Sequence, residues 1–271
     1  MPFEEGGLSR APAELPLRTV PVQDGGVPGY VVSWALEGGD VNASRMVIQP
    51  SLPGEAEWVH PDAPGVWLGA PANGSLTSLL SFLTEADREH ILRLYHACDQ
   101  WSVAAARAVA RIQLGRRLNC SPQDVVFVQG KHGKPMLDHR RHGAIARRLH
   151  FSISHSRELV GVAVAMSRIG VDVEPMREFP ELMQVAASVF ADEMLNDLAA
   201  AGSDAARRAL FYRFWTLSEA ISKATGEGVA QGLRPFAFSA HGVPVLTRAD
   251  GPWGPCGRWS FGTLEGAKPR L

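Results

Sequence analysis

Four side chains combine types and spacing that could do chemistry. Asp172 and Glu174 lie two apart in Ile169-Gly170-Val171-Asp172-Val173-Glu174, a run dominated by Val and Ile. Such a run reads as a buried strand. Strand side chains alternate between faces, so both carboxylates point the same way. Buried there, each needs a cation, hydrogen bonds or a metal to offset lost hydration. Glu219 and Lys223 form an i,i+4 acid–base pair on a predicted helix. Trp215, one turn before Glu219, falls on the same side and suggests that this face meets something other than water. If it meets the strand, three carboxylates converge beside a lysine. That is a hard-oxygen site suited to Mg²⁺, with Mn²⁺ also compatible. Lys223 would lie near the same anion as a point charge. The alternative is plain: a strand end whose acids face water, and a surface helix pair worth ~0.3–0.5 kcal/mol.

Other catalytic templates fail. The chain has neither a G-x-S-x-G elbow nor a G-x-x-x-x-G-K-[ST] loop. Ser154-His155-Ser156 could tempt a hydrolase reading. Neighbours on a strand point to opposite faces, however, so Ser154 and His155 cannot act there as nucleophile and base. His155 reads as an anion contact or as a satisfied core histidine.

The elements that must position these groups are legible in outline. Thr84 is a predicted helix cap with Asp87 three residues on. A helix from about Ser102 to Leu118 carries the basic pair Arg107 and Arg111. Val125 to Gln129 is a strand, Gly130 to Pro135 a turn, and His139 to Arg148 a basic loop. Val160 to Met166 is an apolar strand. Helical pattern runs from about Pro180 to Ala201, is broken and recapped at Gly202-Ser203-Asp204, and resumes to about Thr225. Leu210, Phe214, Leu217 and Ile221 form the buried stripe of that last helix, which Gly226 ends. Near the N-terminus, residues 1–28 read as a loose leader. Gly29 to Leu36 reads as a strand, Arg45 to Ile48 as a short one, and Val66-Trp67-Leu68 as another.

The chain has 271 residues, 45% hydrophobic and 20% charged, ample for a globular core. A net charge of −1 gives no bulk electrostatic case for nucleic acid or membrane partners. Cys98, Cys120 and Cys256 are scattered, without a C-x-x-C pair, and suggest reduced thiols in a cytoplasmic protein. The N-terminus lacks a signal-peptide pattern, and no apolar run approaches the ~18 residues of a membrane helix.

Taken in order, Gly133-Lys134-Pro135, Phe151-Ser152-Ile153-Ser154-His155-Ser156, Gly170-Val171-Asp172-Val173-Glu174 and Trp215-x-x-Ser218-Glu219-Ala220-x-x-Lys223-x-x-Gly226-x-Gly228 resemble the motifs of the Sfp-type 4′-phosphopantetheinyl transferases. The similarity covers about residues 62–240. It implies an α+β pseudo-dimer: two similar α+β subdomains with one active site in the cleft between them. The expected divisions are an N-terminal extension over 1–61, a first subdomain over 62–166 and a second over 167–271. The implied reaction is Mg²⁺-dependent transfer of the phosphopantetheine arm of coenzyme A to a serine of an apo acyl or peptidyl carrier protein. 3′,5′-ADP is released. Such a holo-[acyl-carrier-protein] synthase would serve fatty-acid or secondary-metabolite synthesis and is expected to be a monomer. Asp172, Glu174 and Glu219 would hold the metal, Glu219 would also be the base, and Lys223 would neutralise the pyrophosphate. Lys134 and Pro135 would line the nucleotide pocket, and Ser154 and His155 would approach the 3′-phosphate. Arg140, Arg141, Arg147 and Arg148 would steer an acidic carrier.

The sequence departs from that pattern where cations are expected. Ser218 replaces the lysine before Glu219, and Asp87, His90 and Ser102 stand where the family carries phosphate contacts. Ser152 replaces an Asn. Arg88, Arg93, Arg107 or the 139–148 loop could substitute. Otherwise the chain is a non-transferring relative that binds carrier protein or nucleotide, or an enzyme tolerant of dephospho-coenzyme A. The family's closing strand is also missing at the C-terminus, and residues 29–36 are the candidate to fill its place, beside 256–264.

Overall fold

A computed structural model describes residues 29–38, 47–49, 65–69, 76–157, 159–227, 232–239, 241–251 and 253–266. The leader expected over 1–28 and Gly228 lie outside the described residues. The strands are β1 (Tyr30–Glu37), β2 (Val47–Gln49), β3 (Gly65–Gly69), β4 (Phe127–Gln129), β5 (Pro135–Leu137), β6 (His150–His155), β7 (Val160–Ala165), β8 (Ile169–Pro175), β9 (Phe236–Phe238), β10 (Leu246–Ala249) and β11 (Trp259–Gly266). The α-helices are α1 (Leu76–Leu80), α2 (Glu85–Leu92), α3 (Ala97–Leu118), α4 (His139–His142), α5 (Leu182–Val189), α6 (Asp192–Ala200) and α7 (Asp204–Thr225).

Two α+β halves stand out. In the first, a sheet of order β2-β3-β7-β6 packs against the 22-residue helix α3. In the second, a sheet of order β11-β1-β8 packs against α7, also 22 residues long. The strands of β3-β7-β6 alternate in direction, and so do those of β8-β1-β11. The two triplets therefore have the same plan. The second differs in taking its middle strand from the chain's N-terminal region.

β1 lies between β8 and β11, with Trp34 opposite both Val171 and Gly262. It earns that central position by being apolar on both faces: Val31 and Ala35 enter the core under α7, while Val32 and Trp34 enter the layer between the two sheets. Val66 and Leu68 of β3, Ala163 and Ala165 of β7, and Ile169, Val171 and Val173 of β8 complete that layer. A strand buried on both faces reads as a near-continuous apolar run, and this one does apart from Ser33, whose buried hydroxyl is bonded to those of Thr216 and Thr263.

β8 is sorted by the alternation of its side chains. Ile169, Val171 and Val173 face the first half's sheet. Gly170, Asp172 and Glu174 take the other face, toward α7. A Cβ on Gly170 would fall on the Ala220 carbonyl oxygen and 2.6 Å from the Ala224 nitrogen of α7. Glycine here lets the helix lie directly on the strand.

The caps follow local chemistry. The Thr84 hydroxyl accepts from the Asp87 amide, and the Ser203 hydroxyl from that of Ala206. Gly226 closes α7 in the left-handed conformation at φ 77°. Some expectations are corrected. α3 begins at Ala97, earlier than Ser102. The continuous helical pattern expected over 180–201 is two helices, parted where Phe190 and Ala191 turn extended and bury their side chains in the core. The basic loop after Asp138 holds the short helix α4, capped by the Asp138 carboxylate.

Candidate active site

Where the two halves meet, serine side chains of β6 reach the backbone edge of β8. The Ser152 hydroxyl accepts from the Val171 amide at 3.1 Å, and the Ser154 hydroxyl from the Val173 amide at 3.3 Å. Both serines are buried. The Ser-x-Ser spacing thus satisfies amides at one edge of β8 while β1 occupies the other.

Asp172 sits at this junction, 3% exposed. Its Oδ1 accepts from the Ser154 hydroxyl at 2.8 Å and from Lys223 Nζ at 2.6 Å. Lys223 Nζ also donates to Ser154 Oγ at 2.9 Å. The other carboxylate oxygen, Oδ2, is buried with no hydrogen-bond partner. A buried carboxylate oxygen left bare is costly, and marks a place where a cation or donor would be accepted.

Glu174 and Glu219 share the electrostatics. Burial, then the Asp172 charge, pushes Glu174 up to about 7, with Glu219 adding to the rise and Lys223 opposing it. Burial and Asp172 also raise Glu219, again against Lys223. The three carboxylates therefore feel one another, with Lys223 as the compensating cation. Among the described residues, no group of three acid, histidine or cysteine side chains is closed up around a metal position. Lys223 lies on Asp172 instead.

Beside this cluster is a cavity of about 240 Å³. One wall is the turn of the β4–β5 hairpin with Gly133, Lys134 and Pro135; the other is the end of α7 with Ser222, Lys223 and Gly226. Phe151 to Ile153 of β6 complete it. The hairpin needs two left-handed residues, His132 and Gly133, at φ 55° and 79°. The Lys134 ammonium bridges the cavity walls, donating to the carbonyls of Lys223 and Ala224 at 2.5 and 3.1 Å.

These motifs, in this order and at this junction, are those of a known family. Residues 67–167 match the family model for the N-terminal part of 4′-phosphopantetheinyl transferases, and 168–262 match that of the 4′-phosphopantetheinyl transferase superfamily. A protein of Synechocystis sp. that bears the same name provisionally is 31% identical over 172 residues, 63% of this chain and 68% of its own. The chain belongs to the 4′-phosphopantetheinyl transferase family. It is of the Sfp type: the Bacillus subtilis 4′-phosphopantetheinyl transferase Sfp is 26% identical over 178 residues, 65% of this chain and 75% of its own. HetI of Nostoc sp., also named a 4′-phosphopantetheinyl transferase, is 32% identical over 160 residues, 58% of this chain and 65% of its own.

Against the family pattern, several expected residues sit differently. Ser154 is engaged by Asp172 and Lys223 and is not free for a phosphate. His155 lies on the opposite face of β6 and is exposed at its rim, while the protein around the ring desolvates it and, with the charges of Lys223 and Arg107 against that of Asp99, lowers its pKa. Arg88 is turned back on the Leu80 carbonyl at 2.8 Å and on Glu85 at 3.5 Å, and Arg93 is exposed at the end of α2. Asp87 holds Arg107 at 2.6 Å and Arg111 at 2.7 Å. His90 is exposed, and Ser102 is buried with its hydroxyl on the Asp99 carbonyl. Ser218 is fully buried, bonded to the Phe214 carbonyl.

Trp215 does mark a face that meets protein: partly buried, it stacks on Phe211 at 5.9 Å and meets Phe190 at 6.5 Å, packed against the core of the second half. The Arg111–Asp87 pair, fixed further by carbonyls of Pro122 and Val125, was missed in the sequence. Its only signal was an acid at a helix N-terminus and an arginine on the next helix.

Proposed function

We propose that this chain transfers the phosphopantetheine arm of coenzyme A to a serine hydroxyl of an apo carrier protein, with a divalent cation as cofactor and 3′,5′-ADP as the leaving product. The observation that carries this reading is the junction itself. Asp172, Glu174 and Glu219 share one electrostatic cluster, with Asp172 Oδ2 bare, beside a cavity lined by Lys134, Pro135 and Lys223.

The donor set fits a hard cation. Three carboxylates, two with raised pKa because charge is crowded and buried, lower their energy if a dication replaces the missing water. Asp172, Glu174 and Glu219 would hold Mg²⁺, or Mn²⁺, whose chemistry when bound is to neutralise charge developing on the pyrophosphate. Glu219 suits the role of base for the carrier serine. Its raised pKa keeps it a stronger proton acceptor than an exposed glutamate. Lys223, now paired with Asp172, has a charge that can turn to the phosphates once the carboxylates are otherwise compensated. Both halves of the site belong to one chain, which supports action as a monomer.

The test is intact-mass analysis of apo carrier proteins incubated with coenzyme A and Mg²⁺. The carrier should gain the mass of the arm, and EDTA should prevent it. Glu219→Gln should reduce turnover by about 10²-fold or more. Full turnover in that variant would remove Glu219 from the mechanism.

One observation favours tolerance of dephospho-coenzyme A. Around α2 and α3, Arg88 and Arg111 are committed to protein partners, Arg107 is paired with Asp87, and Ser102 is buried. A charge-assisted contact to a 3′-phosphate is worth about 1.5–3 kcal/mol. Its loss would bring kcat/KM for coenzyme A and dephospho-coenzyme A to within about threefold. A preference of 10²-fold for coenzyme A would show that Arg107, His155 or the 139–148 segment supplies the contact.

A further inference from the structure

The end of α7 is held by a residue from the other half of the molecule. A helix leaves its last carbonyls without intrahelical partners. Here the Ser222 carbonyl accepts from the Gly226 amide at 3.0 Å and from the Thr225 hydroxyl at 3.1 Å. The next two carbonyls, those of Lys223 and Ala224, receive Lys134 Nζ. A cation at a helix C-terminus is favoured both by these oxygens and by the helix dipole.

Lys134 reaches them from the turn of the β4–β5 hairpin, where its own carbonyl accepts from the Gly130 amide at 2.8 Å. Its aliphatic stem crosses the cleft along Gly226. A Cβ at that position would lie 3.2 Å from Lys134 Cδ. Gly226 therefore serves twice: it takes the left-handed φ and leaves room for the lysine. Among the described residues no carboxylate meets the Lys134 ammonium; its partners are the Lys223 and Ala224 carbonyls, and burial with the Arg168 charge lowers its pKa to about 8.

Lys223 is thus fixed from both sides. Its carbonyl is held by Lys134, and its ammonium by Asp172 and Ser154. We infer that Lys134 is a positioning residue, a latch between the halves that sets the last turn of α7 and so places Lys223 toward the carboxylate cluster, instead of being a ligand of the substrate's phosphates. The inference rests on the proposed transferase reading for its kinetic consequence only.

The experiment compares the full-length chain with its Lys134→Met and Lys134→Arg variants. Hydrogen–deuterium exchange and steady-state transfer from coenzyme A to an apo carrier are both measured. In Lys134→Met, amides of residues 223–227 should exchange faster than in the parent, with those of 206–216 unchanged. The value of kcat should fall about tenfold or more, with KM for coenzyme A within about threefold, because misplacing a group costs rate without removing a ground-state contact. Lys134→Arg keeps the charge and donors and should restore most of both. It also serves as the variant if Lys134→Met does not fold. Unchanged exchange at 223–227 would overturn the latch, and so would a raised KM with intact kcat, which is the signature of a substrate ligand. If the parent chain transfers nothing, the transferase reading fails while the exchange comparison still decides the latch.

Discussion

Glu174 is the carboxylate of the cluster whose proton is held most firmly by its surroundings. Its pKa stands near 7 when folded, against an ordinary 4.5, chiefly because it is buried and then because Asp172 is charged beside it. Between those two values the folded chain keeps a proton that the unfolded chain releases. Folding stability contributed by this group is therefore present below pH 4.5 and lost as pH rises toward 7. In EDTA, denaturant titrations should give a stability about 2 kcal/mol lower at pH 7.5 than at pH 5. Glu174→Gln should flatten that slope, and millimolar Mg²⁺ should restore stability at pH 7.5. A metal-independent slope in the parent chain would separate Glu174 from any cation site. At this scale the sequence was half legible. Alternation along 169–174 placed Asp172 and Glu174 on one face, because strand geometry is local. What the Trp215 side of α7 meets was not legible, because helical periodicity says which residues share a side, not what that side meets. Partner choice, as in Asp87 with Arg107 and Arg111, is tertiary and left no trace in spacing.

Among the elements, α7 on β8 carries the site, and the contact between them depends on Gly170. A methyl group there would strike the Ala220 carbonyl oxygen and the Ala224 nitrogen, both rigid backbone of the helix. Gly170→Ala must push α7 off the strand, at a cost of about 3 kcal/mol or more. Gly161 in β7 is a useful contrast. Its Cβ would meet the Val173 Cγ1 side-chain atom at 2.7 Å, and a side chain can give where backbone cannot. Gly161→Ala should cost about 1–2 kcal/mol. Thermal unfolding of the two variants checks the order, and Gly170→Ala should lose transfer activity even where it remains folded. Equal stability of the two would mean that α7 does not rest on β8 as closely as described. Helix ends at Thr84, Ser203 and Gly226 were readable because caps are local chemistry. The break between α5 and α6 was not, since no Gly or Pro marks it; Phe190 leaves the helix to fill the core.

On the scale of the molecule, the second half is completed by β1, the first of the described strands. The β6–β7 connection of the first half is a hairpin, with His155 paired to Val160. In the second half the matching strands are β11 and β1, and Gly266 lies opposite Tyr30. The end of β11 is therefore adjacent to the start of β1, as the end of β6 is to the start of β7, but no local hairpin joins them. The chain order differs while the pairing does not. β1 buries Val31, Val32, Trp34 and Ala35, and a fully buried large apolar side chain is worth about 1.5–3 kcal/mol. Glu37 pins its far end, ion-paired to Arg168 and to Arg258 at 2.6 Å. Deleting residues 1–38 should accordingly leave β8 without its apolar neighbour and the Asp172 cluster without its frame, giving a chain with no cooperative unfolding transition and no transfer activity. Native pairing, and not chain order, is what the site needs. A permuted chain that begins at residue 39, runs through Gly266 and continues by a short linker into residues 29–38 should restore both. Its melting temperature should come within about 5 °C of the parent's, since a short loop changes closure entropy by only about 1 kcal/mol. Failure of the permuted chain to fold would mean that the N-terminal residues contribute more than the strand. Recovery of the fold without activity would place a functional contact within residues 1–28 or 267–271.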